Sequence, residues 1–281
     1  MAPKLRCPTC GANVRASEKD CPTCASFCWF PNVRKASEPE EVAELTIRCD
    51  AAKALAESRG AGGSFAVYET ELADSVVVVC RSLDQAKTLL SNDSSVYISY
   101  YGHRASGGRR AEETAIEIQR EATDVRMFPS YHDEVRFGAL SLDGRGVRTF
   151  GVCSLVLKSF TIQQRTSFFW ENSVIFCNRV CPQQTDPIPA GFRAPWPTRA
   201  ALAVAKGEPL LTGLSTSAEF SRILLDGDRF VEAHIYGPFN RESVDRILLP
   251  KTLVRSDRAM VSAIRDVIRQ HRLGIKIEEY S

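Results

Sequence analysis

The sequence predicts an α+β chain in three parts: a small cysteine ribbon over residues 1–33, a helical region over 34–126 and a mixed α/β domain over 127–281. Three observations predict it. Two identical Cys-Pro-Thr-Cys tetrapeptides stand near the start. Apolar residues then recur at three- and four-residue spacing up to about residue 125, the period of helices lying on a core. From residue 134 onward the chain turns to short runs rich in β-branched and aromatic residues, the texture of strands.

Composition sets the outer limits. The 281 residues, 44% hydrophobic and 25% charged, are those of a folded protein with room for a core. A net charge of +2 gives no whole-surface attraction for nucleic acid, although a local basic face is compatible with it. No apolar run nears the roughly 18 residues of a membrane-spanning helix. The opening residues lack an apolar signal core, so a cytoplasmic chain without a membrane partner is expected. Ten cysteines would suit a disulfide framework in a short secreted chain; here their spacing points to metal.

In the ribbon, Cys7-Pro-Thr-Cys10 and Cys21-Pro-Thr-Cys24 are separated by ten residues. Each turn converges two thiolates on one ion, and two turns supply the four sulfurs of a tetrahedral structural Zn2+ site. Proline presets one dihedral of the turn and Gly11 tolerates a positive one. Cys28 offers a fifth sulfur that could replace Cys24. Lys4, Arg6, Arg15, Lys19, Arg34 and Lys35 outnumber Glu18 and Asp20, a surplus that four thiolates around one dication would reduce. The ribbon therefore reads as a docking or folding module held by metal rather than by a core.

In the helical region, Ser37-Glu38-Pro39-Glu40 reads as a capping box with Ser37 as N-cap. Val42, Leu45, Cys49, Ala52 and Ala56 form a first stripe, stopped at Gly60 and Gly62-Gly63. Leu72, Val76, Val79, Leu83, Ala86 and Leu90 form a second, in which the valine run could be a strand but the helical period favours helix. Ala115, Ile118, Ala122 and Val125 form a third. Between the last two, Tyr97 to Arg104 and Gly107-Gly108-Arg109-Arg110 place rings and guanidinium groups beside glycines. That suits an anion, a nucleotide or a single strand, or else a solvated loop that opens a helix.

In the last part, strands are predicted at Val135–Leu142, Gly151–Lys158, Ser167–Trp170, Val174–Asn178, Phe230–Tyr236 and Ile275–Tyr280, with helices at Thr198–Lys206 and Arg258–His271. The five prolines between Pro182 and Pro197 make that segment a loop. No P-loop, nucleophile elbow, zinc-protease helix or dinucleotide fingerprint is present, so hydrolase, NTPase and Rossmann readings have no anchor.

The runs Val135 to Leu140, Arg148 to Lys158, Arg165 to Ser173 and Phe230 to Pro238 resemble bacterial proteins with the ADP-ribosyltransferase-like fold, over residues 134 to about 281. The resemblance implies NAD as substrate. It assigns Arg136 to NAD's phosphate or ribose, Ser167 or Ser173 to the nicotinamide pocket, and Glu232 to the catalytic carboxylate beside the nicotinamide ribose. His234 shares a face with Glu232 if Phe230–Tyr236 is a strand, and is counted with the residues expected to bind NAD. It implies ADP-ribosyl transfer to a protein or nucleic-acid acceptor, or NAD cleavage, in a toxin or defence effector. Phe230 stands where arginine-modifying members carry a second acidic residue, which argues against an arginine acceptor. Arg136 and Glu232 are expected to meet across one cleft. The competing expectation is a non-enzymatic zinc-ribbon adaptor for nucleic acid or a protein partner.

Overall fold

The computed structural model describes residues 5–7, 9–15, 18–99, 101–102, 115–183 and 185–281, with backbone alone at 5, 6 and 115–118. Its centre is a sheet of eight strands. A ribbon hairpin, β1 (Leu5–Arg6) and β2 (Asn13–Val14), precedes helices α1 (Pro31–Ala36), α2 (Pro39–Ser58) and α3 (Gly62–Leu72). Then follow β3 (Val76–Arg81), α4 (Leu83–Ser91), β4 (Val96–Tyr97), α5 (Ala115–Met127), β5 (Val135–Ser141), β6 (Cys153–Leu157), α6 (Ser159–Ile162), β7 (Thr166–Phe169) and α7 (Ser173–Val180). The chain ends through β8 (Arg193–Pro195), α8 (Arg199–Gly207), α9 (Ser217–Leu224), β9 (Glu232–Tyr236), β10 (Phe239–Asn240), β11 (Val244–Pro250), α10 (Lys251–Ser256), α11 (Arg258–Gln270) and β12 (Lys276–Tyr280). Strand order is β12-β11-β6-β3-β5-β9-β7-β8, and every pair is antiparallel except β11 with β12. None of the described helices is long and apolar enough to cross a membrane.

The second apolar stripe is not one helix. Leu72 closes α3, Val76 to Val79 lie in β3, and Leu83, Ala86 and Leu90 are the buried face of α4. β3 sits between β5 and β6 with Val77, Val78 and Val79 all buried. A strand covered on both faces shows no polar alternation, so its spacing imitated a helix. A capping box of Ser82 with Gln85 starts α4. The boundary expected at 126/127 thus falls at the end of α5, while β3, from its N-terminal side, lies in the middle of the sheet.

Other differences are local. Val174–Asn178 lies in helix α7, whose N-cap Asn172 accepts the Val174 N–H. Ser37 does not cap α2; Glu38 stands at the N-cap with Pro39 behind it, and the Ser37 hydroxyl donates to Val33 O at the end of α1. Thr216 starts α9 through a capping box with Glu219.

The two faces of the sheet differ. On one, Val77, Val79, Leu140, Phe168, Ala233, Ile235 and Ile247 join the main apolar core with buried residues of α2, α3, α4, α8, α9 and α11. On the other, Glu232, His234 and Tyr236 of β9 lie beside Ala139, Phe137 and Val135 of β5. That second face is covered by α1, by α7, and by Met127 and Phe128 at the end of α5.

Candidate active site and metal cluster

Glu232 opens β9 opposite Ala139 and Phe169 and is only 2% exposed. A charged carboxylate so placed needs donors. Oε1 accepts from Arg120 Nη1 at 3.1 Å, and Oε2 accepts the Ser173 N–H at 3.1 Å and lies 3.0 Å from His234 Nε2. Burial alone would push Glu232 up. The Arg120 charge, His234 and the Ser173 N–H overcome it and hold the group at about 2. An ionised acceptor places the imidazole proton on Nε2. The His234 ring is itself buried, edge-on to Phe128 and Phe137 and stacked near Phe169.

Arg120 reaches the site from α5, with its guanidinium 3.8 Å from the centre of the Phe137 ring. Its Nε meets the wholly buried Asp124, one turn on, at 3.1 Å, and Tyr101 donates to Asp124 Oδ2 at 2.9 Å. Burial raises Asp124, and the nearby Glu232 charge adds to the rise against Arg120. Two buried carboxylates thus share one guanidinium, and their affinities for a proton are driven apart. This network explains why the third apolar stripe misjudges α5. The helix docks through Arg120, Asp124 and Met127, and Val125 of the stripe is 44% exposed.

Register decides the fate of the other sequence candidates. Ser167 lies opposite His234, and its hydroxyl accepts from Asn32 Nδ2 at 3.1 Å. Ser173 gives its N–H to Glu232, while its buried hydroxyl has no partner among the described residues. Arg136 lies opposite Ile235, which puts its side chain on the other face of the sheet. There it donates to Glu134 O, to the Glu134 carboxylate and, at 3.4 Å, to Tyr97 O. The expected Arg136–Glu232 cleft therefore does not form. Arg120 and Asp124 were missed, although their four-residue spacing within a predicted helix was a visible signal. His103, Arg104, Arg109 and Arg110 lie outside the described residues.

The four ribbon thiols come together. Cys7, Cys10, Cys21 and Cys24 Sγ atoms all lie within 4.8 Å of one another, with Cys7–Cys24 at 3.7 Å and Cys10–Cys21 at 3.6 Å. Four thiolates about 2.3 Å from a zinc-sized ion form a tetrahedron of roughly 3.8 Å edge, so this set could hold such a metal. The two knuckles repeat each other. Thr9 and Thr23 N–H groups donate to Cys7 and Cys21 sulfurs, both at 3.4 Å, and Gly11 and Ala25 follow at φ 71° and 55°. Cys28 stands outside the set, its thiol donating to Ser26 O at 3.4 Å.

No protein-family model matches the chain, and no curated protein matches it. Among solved structures, it is similar to Thermus sp. 2.9 DarT in complex with ADP-ribosylated ssDNA. The TM-score is 0.42 and the identity 10%, over 74% of this chain and 94% of that one. Away from Glu232, a groove of about 1290 Å3 is lined by Asp143, Arg145, Arg148, Ser217, Arg222 and Tyr280 among others.

Proposed function

We propose that the chain cleaves NAD and transfers its ADP-ribose, with Glu232 as the reactive carboxylate and with Cys7, Cys10, Cys21 and Cys24 holding a structural zinc. One observation carries the reading: a buried carboxylate kept ionised by Arg120, His234 and the Ser173 N–H, beside a Ser173 hydroxyl that has no partner among the described residues. The bond from ribose C1′ to nicotinamide breaks with its electron pair going to the departing ring, which leaves neutral. The ribose becomes an oxocarbenium-like cation, and a fixed negative charge beside it lowers the barrier. A protein or nucleic-acid acceptor, or water, adds at C1′ and loses its proton. With Arg136 on the far face, Arg120 is a cation on the proper side to meet the pyrophosphate. A toxin or defence role fits such an activity.

The test is release of nicotinamide from NAD by the zinc-loaded chain. Glu232→Gln should lower that rate by about 100-fold or more while circular dichroism stays native. A folded wild-type protein that neither binds NAD in calorimetry nor releases nicotinamide overturns the reading. That outcome would favour the second reading, a zinc-ribbon adaptor for nucleic acid or a protein partner. The observation on its side is that both Glu232 oxygens already have protein partners, as a purely structural clamp would.

A further inference from the structure

We propose that Asn32 is a positioning residue through which the metal-bound ribbon sets the strand carrying Glu232 and His234. This rests on the reading of Glu232 as the reactive carboxylate. Asn32 lies on α1, beyond the four clustered cysteines, and is 3% exposed. Its Nδ2 stands 2.8 Å from His234 O, 3.1 Å from Ser167 Oγ and 3.1 Å from Arg165 O, joining β9 to β7. Its Oδ1 is buried with no partner among the described residues, so the amide is held from one side only. An amide in that state keeps its place only if its helix does.

The inner side of the helix packs on β7, β8 and β9, and its outer side is tied to the ribbon. Two residues along α1, Arg34 Nη1 donates to Glu18 O at 2.9 Å and to Cys28 O at 3.1 Å, and Nη2 donates to Arg15 O at 2.9 Å. These carbonyls lie on segments that the four thiols draw together. Between Cys28 and Phe30, Trp29 is held at φ 64°, a costly conformation for a side chain of that size. Phe30 packs between Phe27 of the ribbon and Tyr236 of β9, at ring distances of 5.5 and 5.4 Å, with Lys19 5.9 Å from both the Phe30 and Tyr236 centres. Without a metal, the four thiols lose the centre that would hold the two turns together, the carbonyls that Arg34 holds disperse, and α1 loses its outer support. His234 then shifts through its own carbonyl, and Glu232 shifts with it.

The experiment follows the His234 ring by NMR in the full chain, the signal assigned by its loss in His234→Gln, alongside zinc content and NAD kinetics. Removing zinc from the wild type with a chelator should move the His234 signal, and re-addition should restore it. Asn32→Ala should show the moved signal with zinc content unchanged, and kcat for nicotinamide release should fall about tenfold with KM within twofold. Arg34→Gln, which cuts the link on the ribbon side, should move the same signal with Asn32 intact. A His234 signal indifferent to zinc removal overturns the proposal, as does an Asn32→Ala chain with native signal and kcat. If no variant and no wild type cleaves NAD, the Glu232 reading fails, and the zinc dependence of the His234 signal still decides the coupling.

Discussion

The ribbon and the Glu232 site both gather charge that repels water-free surroundings, and they solve the problem in opposite ways. The ribbon collects four sulfurs from two turns within eighteen residues and leaves Cys10 and Cys24 exposed. A countercharge for four thiolates there could come from outside, as a bound metal ion. The Glu232 site draws Tyr101, Arg120, Asp124, Ser173 and His234 from across the chain, and its countercharge is a guanidinium of the protein itself. A cluster of the first kind depends on a ligand. One of the second kind carries its countercharge within the protein and depends on strand register.

The sharpest break of this contrast is metal removal. The zinc-loaded chain should carry one ion, and Cys21→Ser should lower that content and expose residues 5–30 to protease, since apparent zinc affinities in such small modules are on the order of 10 kcal/mol. The sheet should keep its far-ultraviolet signature. Full metal content in Cys21→Ser would undo the ligand assignment.

Next in size is Arg120→Met. It leaves Glu232 buried without its cation and should cost about 3–5 kcal/mol in denaturant unfolding, much of it returned in Arg120→Met with Glu232→Gln. A loss under about 1 kcal/mol would make the pair no stronger than a surface one.

Acid should separate the two regions again. Glu232 titrates at about 2 in the fold against 4.5 when free, so its contribution is complete above about 4.5 and disappears as pH falls toward 2. The shift corresponds to roughly 3 kcal/mol. Asp124, raised by burial, works in the opposite sense and at pH values above its free value of 3.8. Between pH 5 and 2.5, stability measured by urea unfolding should therefore fall more steeply in the wild type than in Glu232→Gln, and equal slopes would contradict the charge assignment.

The smallest effect is expected at Arg136. Arg136→Ala should leave NAD binding within twofold and cost about 1 kcal/mol of stability through its lost carbonyl bonds. A large loss of NAD affinity would mean that the two faces communicate more directly than register allows.

The clustering of Cys7, Cys10, Cys21 and Cys24 was legible because it is local: two turns close in sequence announce themselves by spacing. Glu232 and His234 were legible as strand neighbours, since residues two apart share a face. Arg136 was misplaced because the face it takes depends on its alignment with Ile235, which no single segment contains. Asn32 was invisible for a related reason, since its acceptors lie 133 and more residues away. The valines of β3 misled because burial on both sides erases the alternation by which strands are known.

The place of β3 has a consequence for synthesis. Val76 to Cys80 finds its hydrogen-bonding neighbours only in β5 and β6, which the ribosome makes some sixty residues and more later. Until then a run of four valines waits with both edges open, a segment of the sort that seeds intermolecular sheets. A nascent chain stalled or cut between α4 and β5 should therefore precipitate, whatever the condition of its cysteines.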